Sequence, residues 1–312
     1  MRRLLIIGCG DVGLRLAKTL KGRWRIYALT RSPDRFAALR AKSVTPVLGD
    51  LDHPQTLNRI AALAQDVVHL APPPGSGTRD TRTTNMLRAL AKGGSLPQRL
   101  VYISTSGVYG DCSGDIVAET RRTRPSSDRA RRRVDAENQI RRWGTKTGVQ
   151  VSILRVPGIY SSARLPLERL KSRTPALIAE IDPYTNHIHA ADLTRSVVAA
   201  LSRGRAGRAY NVSDDVWIKM GDYFDLVAKQ FGLPKPRRVN WEDAQMELPE
   251  NLLSFMRESR RLANGRLKKE LRVRLHYPST QQGIAAAWKG RSSTGAFTTP
   301  DAGMAEGQHG NR

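Results

Sequence analysis

Short apolar runs alternate with amphipathic stretches along the first half of the chain, the arrangement left by parallel strands joined by crossover helices. Residues 4–7, 25–29, 44–48, 66–70 and 100–104 read as five strands. Between the first two, Val12, Leu14, Leu16, Ala17 and Leu20 recur at three- and four-residue spacing, which predicts a helix over 11–20 with its apolar face on a sheet. Ser32 followed by Pro33 supplies an N-cap and a first-turn proline for a helix ending near Ala41. Asp52-His53-Pro54 opens another, and a further helix spans about 83–91.

The second half is more irregular. The pattern predicts a long helix over 127–145, a strand over 149–154, a helix over 190–201 and a short strand at Tyr210-Asn211-Val212. An amphipathic helix over 223–231 is ended by Gly232 and Pro234. From Lys289 the composition turns to Gly, Ser, Thr and Pro, so 289–312 is expected to be a disordered tail. No internal repeat has a fixed period. The expected architecture is α/β: a doubly wound parallel sheet over 1–160, then a smaller C-terminal lobe over 161–288 that is interleaved with the sheet.

Composition narrows the class. Of 312 residues, 39% are hydrophobic and 26% charged, which is a globular balance. Two cysteines, Cys9 and Cys112, cannot supply a disulfide framework or a C-x-x-C pair. The apolar run that follows Arg2-Arg3 stops at Gly8, short of the ~7–15 residues of a signal-peptide core, and no stretch approaches the ~18 apolar residues of a membrane span. A cytoplasmic location, with no membrane partner, is the expectation.

A net charge of +24 invites a nucleic-acid reading. Arginine is spread along the whole chain, however, and its one dense cluster, Arg121 to Arg142, holds nine arginines against Asp128, Asp135 and Glu137, a net of +6. No RNP aromatics, zinc-finger spacing or basic region with heptads accompanies it. The cluster reads as a solvated helix face in an arginine-rich chain, and nucleic acid is not the expected partner.

Gly8-Cys9-Gly10-Asp11-Val12-Gly13 lies between the first strand and the first helix, the context in which G-x-G-x-x-G carries meaning. Gly8 permits the tight turn, Gly10 leaves no side chain between backbone and a pyrophosphate, and Gly13 lets helix and strand approach. The phosphates would rest on backbone N–H groups at the helix N-terminus, at Asp11 and Val12. The fold is therefore expected to be Rossmann-type. At the end of the second strand, where an acidic residue would accept ribose hydroxyls, stands Thr30-Arg31-Ser32. Arg31 can pair with a 2′-phosphate, so NADP is preferred over NAD, with Asp34 as a fallback ribose partner.

Gly49-Asp50, Leu70-Ala71-Pro72 and Ser104-Thr105-Ser106-Gly107-Val108-Tyr109-Gly110 follow the third, fourth and fifth strands. In this order, and with Leu154-Arg155-Val156-Pro157-Gly158-Ile159-Tyr160, His187-Ile188-His189-Ala190-Ala191-Asp192-Leu193 and Tyr210-Asn211-Val212, the chain resembles the extended and atypical short-chain dehydrogenase/reductases, the NAD-dependent epimerase/dehydratase group, over roughly Arg3 to Tyr277. The resemblance implies that Asp50 contacts the adenine amino group and that Leu51 and Ala71 also line the cofactor site. It implies that Thr105 hydrogen-bonds the reacting oxygen, and that Ser106, Arg155, Pro157, His187 and His189 shape the substrate cleft. The fitting activity is hydride transfer to or from a small molecule.

The departure from that family is as informative. Its general acid/base is a Tyr with a Lys four residues later; here those positions hold Arg129 and Arg133. No tyrosine lies between Tyr109 and Tyr160, and none of the eight has a lysine at i+4. Arginine stays protonated and cannot cycle a proton, although Arg133 can still neutralise ribose or phosphate oxygens. Three readings follow: another group (Tyr109, Tyr160, Tyr184, His187 or His189) donates the proton; the substrate is an activated C=C or imine that needs little acid catalysis; or the dinucleotide is bound without turnover, as in a redox sensor or assembly partner. His187-x-His189 places two imidazoles on one strand face, but no third ligand accompanies them, and no metal is expected. Arg155, after the sixth strand, suggests an anionic substrate. The helix from Ser127 is a candidate surface for homodimer pairing, although its arginines would repel across a two-fold axis.

Overall fold

Leu4, Leu5, Ile6 and Ile7 are completely buried, because the strand that carries them lies in the middle of a parallel sheet covered on both faces. The computed structural model describes residues 1–292. Seven parallel strands form the sheet: β1 (Arg2–Ile7), β2 (Trp24–Thr30), β3 (Val44–Leu48), β4 (Asp66–His69), β5 (Arg99–Thr105), β7 (Gln150–Val156) and β12 (Arg208–Asn211). Their spatial order is β12-β7-β5-β4-β1-β2-β3, so the chain direction across the sheet reverses beside β1. The register runs Leu4 against Ile26 on one side and against Asp66 on the other.

Alternation along the strands divides the core into two. Leu4 and Ile6 face helices α1 (Asp11–Leu20) and α6 (Ala190–Arg203) through Leu16, Leu20, Leu193 and Val197. Leu5 and Ile7 face helices α3 (Thr81–Ala91) and α4 (Asp128–Thr147) through Met86, Leu90, Ala136 and Ile140. A doubly wound sheet results, as the periodicity led us to expect.

Local differences have local reasons. Ser32-Pro33 makes a turn in which the Arg35 N–H donates to the Ser32 carbonyl at 3.3 Å, so α2 begins only at Arg35 (Arg35–Ala41), with Asp34 before it. The segment opened by Asp52-His53-Pro54 is a tight 3₁₀ helix, Pro54–Ile60. Ser127 accepts from the Ala130 N–H and so caps α4, and left-handed Gly148 ends that helix.

Beyond β7 the chain builds a lobe from small pieces. β8 (Gly158–Tyr160) pairs with β11 (His187–His189), β9 (Ala176–Leu177) with Arg238–Val239, and β10 (Tyr184–Thr185) with Ile218–Lys219. β6 (Ile116–Val117) receives Arg261–Leu262. Tyr160, Leu167 and Leu170 of α5 (Leu167–Lys171), and Tyr223, Phe224 and Val227 of α7 (Met220–Phe231), form the core of the lobe. A last helix spans Thr280–Ser292, so residues 289–292 are helical where a disordered tail was expected; the rest of that expected tail, 293–312, lies outside the described residues.

Candidate functional site

The carboxyl ends of β1 to β4 open onto a cavity of about 630 Å³, lined by Gly8, Cys9 and Gly10 after β1, Arg31 and Ser32 after β2, Gly49, Asp50 and Leu51 after β3, and Leu70, Ala71 and Pro72 after β4. This is the reversal point of the sheet, where open α/β sheets place their ligands. Gly8 has φ +91°, and a Cβ there would lie 2.4 Å from the Ala71 nitrogen, so any side chain would drive β1 and β4 apart. At Gly10 a Cβ would meet no protein atom within 4 Å. It would instead project into the cavity, which leaves that volume free for a ligand. Gly13 packs its Cα face against the Gly8 carbonyl and Ile6. The first-turn N–H groups of α1 have no intrahelical acceptors, and an anion fits them.

Of the residues expected at the cofactor, Gly8, Gly10, Arg31, Asp50, Leu51 and Ala71 line this cavity. Asp11, Val12 and Gly13 stand behind it at the start of α1, with the Asp11 carboxylate accepting from Arg15 Nε at 2.9 Å. Arg31 is exposed, and no described residue holds it by hydrogen bond or ion pair, whereas Asp34 lies off the lining. The Asp50 carboxylate accepts from the Asp52 N–H at 3.0 Å.

Two cations at this cavity were not foreseen. Arg35 Nη2 donates to the Cys9 carbonyl at 2.6 Å, clamping the glycine turn to α2. Arg82 pairs with Asp52 at 2.6 Å and reaches the carbonyls of Pro72 and Pro73, each at 3.3 Å. The Arg82 hydrogen bond holds the Asp52 carboxyl below its usual range. Neither arginine lies in a motif; only the fold brings them to this cavity.

A second cavity, of about 210 Å³, lies at the carboxyl ends of β5 and β7 and is lined by Thr105, Ser106, Pro157 and Gly158, by Tyr184, Thr185 and Asn186, and by Arg129, Phe255, Glu258 and Arg260. The Thr105 hydroxyl accepts from the Gly107 N–H at 3.2 Å, leaving its own proton to give away. Thr105, Ser106 and Pro157, expected at the reacting oxygen and in the substrate cleft, all line this cavity.

Five other expectations are corrected. Arg155 is not in the cleft: it is buried on β7, with Nη2 2.8 Å from Glu137 Oε2 and Nη1 3.0 Å from the Tyr109 hydroxyl. An arginine following a core strand is equally compatible with burial when an acid faces it, and Glu137 of α4 does. Tyr109 is sealed inside the same network, donating to Asn211 Oδ1 at 2.7 Å, and burial raises its pKa. Arg133 lines neither cavity; it donates to the Tyr102 hydroxyl and the Ile103 carbonyl at 3.0 and 2.9 Å. His187 stacks on Tyr223 with ring centroids 3.9 Å apart, and burial lowers its pKa to about 3. His189 accepts from the Ala191 N–H at the start of α6 and is likewise lowered, to about 4, by burial. Both histidines belong to the packing behind the cleft, as does Tyr160, whose pKa burial raises.

Six of the nine arginines in the basic cluster are exposed, as a solvated face requires, and the other three turn inward to varying degrees. Arg132 is buried and donates to the Gly77 carbonyl, and Arg141 pairs with buried Glu137 at 3.1 Å. Among the described residues, no helix is long and apolar enough to cross a membrane.

Residues 4–213, more than half of the chain, match the NAD dependent epimerase/dehydratase family. The chain belongs to that family. Within it, the chain is 24% identical over 253 residues to Protein YeeZ of Escherichia coli K12, covering 78% of this chain and 89% of that protein. It is 29% identical over 191 residues to a dTDP-glucose 4,6-dehydratase of Mycobacterium tuberculosis, covering 54% of this chain and 57% of the dehydratase. Among solved structures, a conserved protein from Silicibacter pomeroyi superposes with a TM-score of 0.76 at 28% identity, covering 93% of this chain and 99% of that one. The UDP-glucuronic acid 4-epimerase of Bacillus cereus, solved with NAD, gives 0.74 at 16% identity, covering 95% and 98%, and shares the fold. The matched residues, 4–213, include the glycine turn and the open volume at Gly10.

Proposed function

We propose that the protein is an NADP(H)-preferring oxidoreductase or epimerase that transfers hydride to or from a small molecule held beside Thr105. The observation that carries this reading is the pairing of an open cradle at Gly10 with the uncommitted guanidinium of Arg31 at the end of β2.

The α1 N-terminus and the turn at Gly8 and Gly10 would hold the diphosphate. Arg31 would pair with a 2′-phosphate, Asp50 would meet the adenine amino group, and Leu51 and Ala71 would flank the ribose rings. When bound, the nicotinamide supplies the carbon that accepts or releases hydride. Thr105 would donate a hydrogen bond from its hydroxyl to the substrate oxygen. Of the tyrosines and histidines weighed as proton donors, Tyr184 alone lines the cavity shared with Thr105, whereas Tyr109, Tyr160, His187 and His189 are buried elsewhere. We assign the proton transfer to the Tyr184 phenol, whose ring lies under Arg261 at 5.1 Å and Lys219 at 5.9 Å.

Fluorescence titration with NADPH and NADH tests the cofactor, and hydride exchange with a panel of carbonyl substrates and nucleotide sugars tests turnover. Equal affinity for both nucleotides rejects the NADP assignment. A second reading, dinucleotide binding without turnover, draws on Arg129 and Arg133 at the Tyr and Lys positions, with Arg133 committed to β5. Nucleotide binding without exchange on any member of the panel would favour it.

A further inference from the structure

We infer that the cavity beside Thr105 recognises a small carboxylate through Arg129. The inference deepens the proposed function by naming the class of substrate, and it depends on that function only for what happens to the substrate after it binds.

Arg129 sits in the first turn of α4 with its guanidinium carbon 4.0 Å above the centre of the Phe255 ring. No described residue gives it a hydrogen bond or an ion pair. The acid that shares the cavity, Glu258, is already committed: it accepts from Arg260 Nη1 at 2.8 Å and from the Ser126 hydroxyl. Arg260 in turn donates to the Gly110 carbonyl at 2.8 Å. The Glu258 oxygens are thus taken up by Arg260 and Ser126; its charge is felt at Arg129, but the N–H donors of Arg129 have no hydrogen-bond partner among the described residues. Stacking on a ring leaves the in-plane N–H donors of a guanidinium free, in the fork that fits a carboxylate bidentately.

The neutral lining points the same way. Ser106, Thr185 and Tyr184 line this cavity, their hydroxyls in no hydrogen bond described for them, and Met220 and Phe255 supply apolar wall. The volume of about 210 Å³ is below the ~300 Å³ at which sites for larger organic ligands begin. A space of that size suits a short oxo- or hydroxy-acid better than a nucleotide sugar. One free cation beside a carboxylate suits a monoanion, because a dianionic phosphate would meet the charge of Glu258. A short oxo-acid with its carboxylate on Arg129 would present its carbonyl toward the Thr105 hydroxyl.

Calorimetry without nucleotide, using acetoacetate, its methyl ester and inorganic phosphate on the full chain, tests the assignment. Acetoacetate should bind at least tenfold more tightly than either of the other two. Arg129→Gln should remove that preference, and Arg129→Lys should restore part of it. Equal affinity for acid and ester, tighter binding of phosphate, or an unchanged preference in Arg129→Gln overturns the inference; should that variant not fold, the comparison of the three ligands on the native chain decides. A separate NADPH titration of the unmodified protein keeps the two readings apart: loss of nucleotide binding with acetoacetate selectivity intact sinks the proposed function alone.

Discussion

Arg155 and Glu137 meet in a double contact inside the protein, Nη2 to Oε2 at 2.8 Å and Nε to Oε1 at 3.1 Å, with side-chain exposures of 5% and 1%. The pair locks β7 to α4, and the Ser104 hydroxyl adds a bond to Glu137 at 2.6 Å. Removing one partner leaves a buried charge short of its main counterpart. Arg155→Met should cost about 3 kcal/mol in urea unfolding, and adding Glu137→Leu should recover most of that loss. Additive losses in the double variant would show that the two residues act independently.

The two glycines of the turn should behave differently. A methyl at Gly10 meets no protein atom, so Gly10→Ala should leave the melting temperature nearly unchanged while weakening NADPH binding at least tenfold. Gly8→Ala combines a positive φ with a contact of 2.4 Å to the Ala71 backbone, and should lower the melting temperature as well. Equal effects of both substitutions on stability would contradict the open volume at Gly10.

Replacing Arg31 by Asp exchanges a cation for a ribose acceptor. Arg31→Asp should invert the ratio of NADPH to NADH affinity, by tenfold or more, with little movement of the unfolding midpoint, since Arg31 is exposed and no described residue holds it by hydrogen bond or ion pair. Titrations with both nucleotides on both proteins read it directly.

Tyr184→Phe should lower turnover by ~10²–10⁴ with NADPH affinity intact, the loss typical of a general acid. Tyr109→Phe should instead act on stability, because its hydroxyl links Asn211 and Arg155 in the interior. Steady-state kinetics and thermal melting of the two variants separate the roles.

Burial keeps His187 neutral until about pH 3, while in the unfolded chain it protonates near 6.5. Below 6.5 the unfolded state therefore binds more protons, so this contribution to stability is present above pH 6.5 and is lost as pH falls toward 3. His187→Asn should flatten the decline in urea stability between pH 6.5 and 4 by about 1 kcal/mol per pH unit. Asp214, raised to about 7 by burial, works in the opposite sense, so the difference between variant and wild type is the quantity to measure.

The nucleotide half was legible because a covered parallel sheet writes its strands as unbroken apolar runs, and because the glycine turn comes directly after the first of them. Thr105, Ser106 and Pro157 could be placed since they follow strands directly. Arg155 and Tyr109 could not, because the partner that decides between cleft and core, Glu137, lies on a helix whose inward face only tertiary packing fixes. Tyr184 and Arg260 come from two-residue strand pairs and connecting loops of the lobe, which are too short to leave any periodicity. Arg35 and Arg82 reach the cavity at the glycine turn through space alone.

Strand β12 reaches its place beside β7 only after the chain has built the intervening segment 157–207. During synthesis, then, the nascent nucleotide half carries an unpaired β7 edge until residue 211 has left the ribosome, and a chain stalled earlier presents a ready template for association with its neighbours.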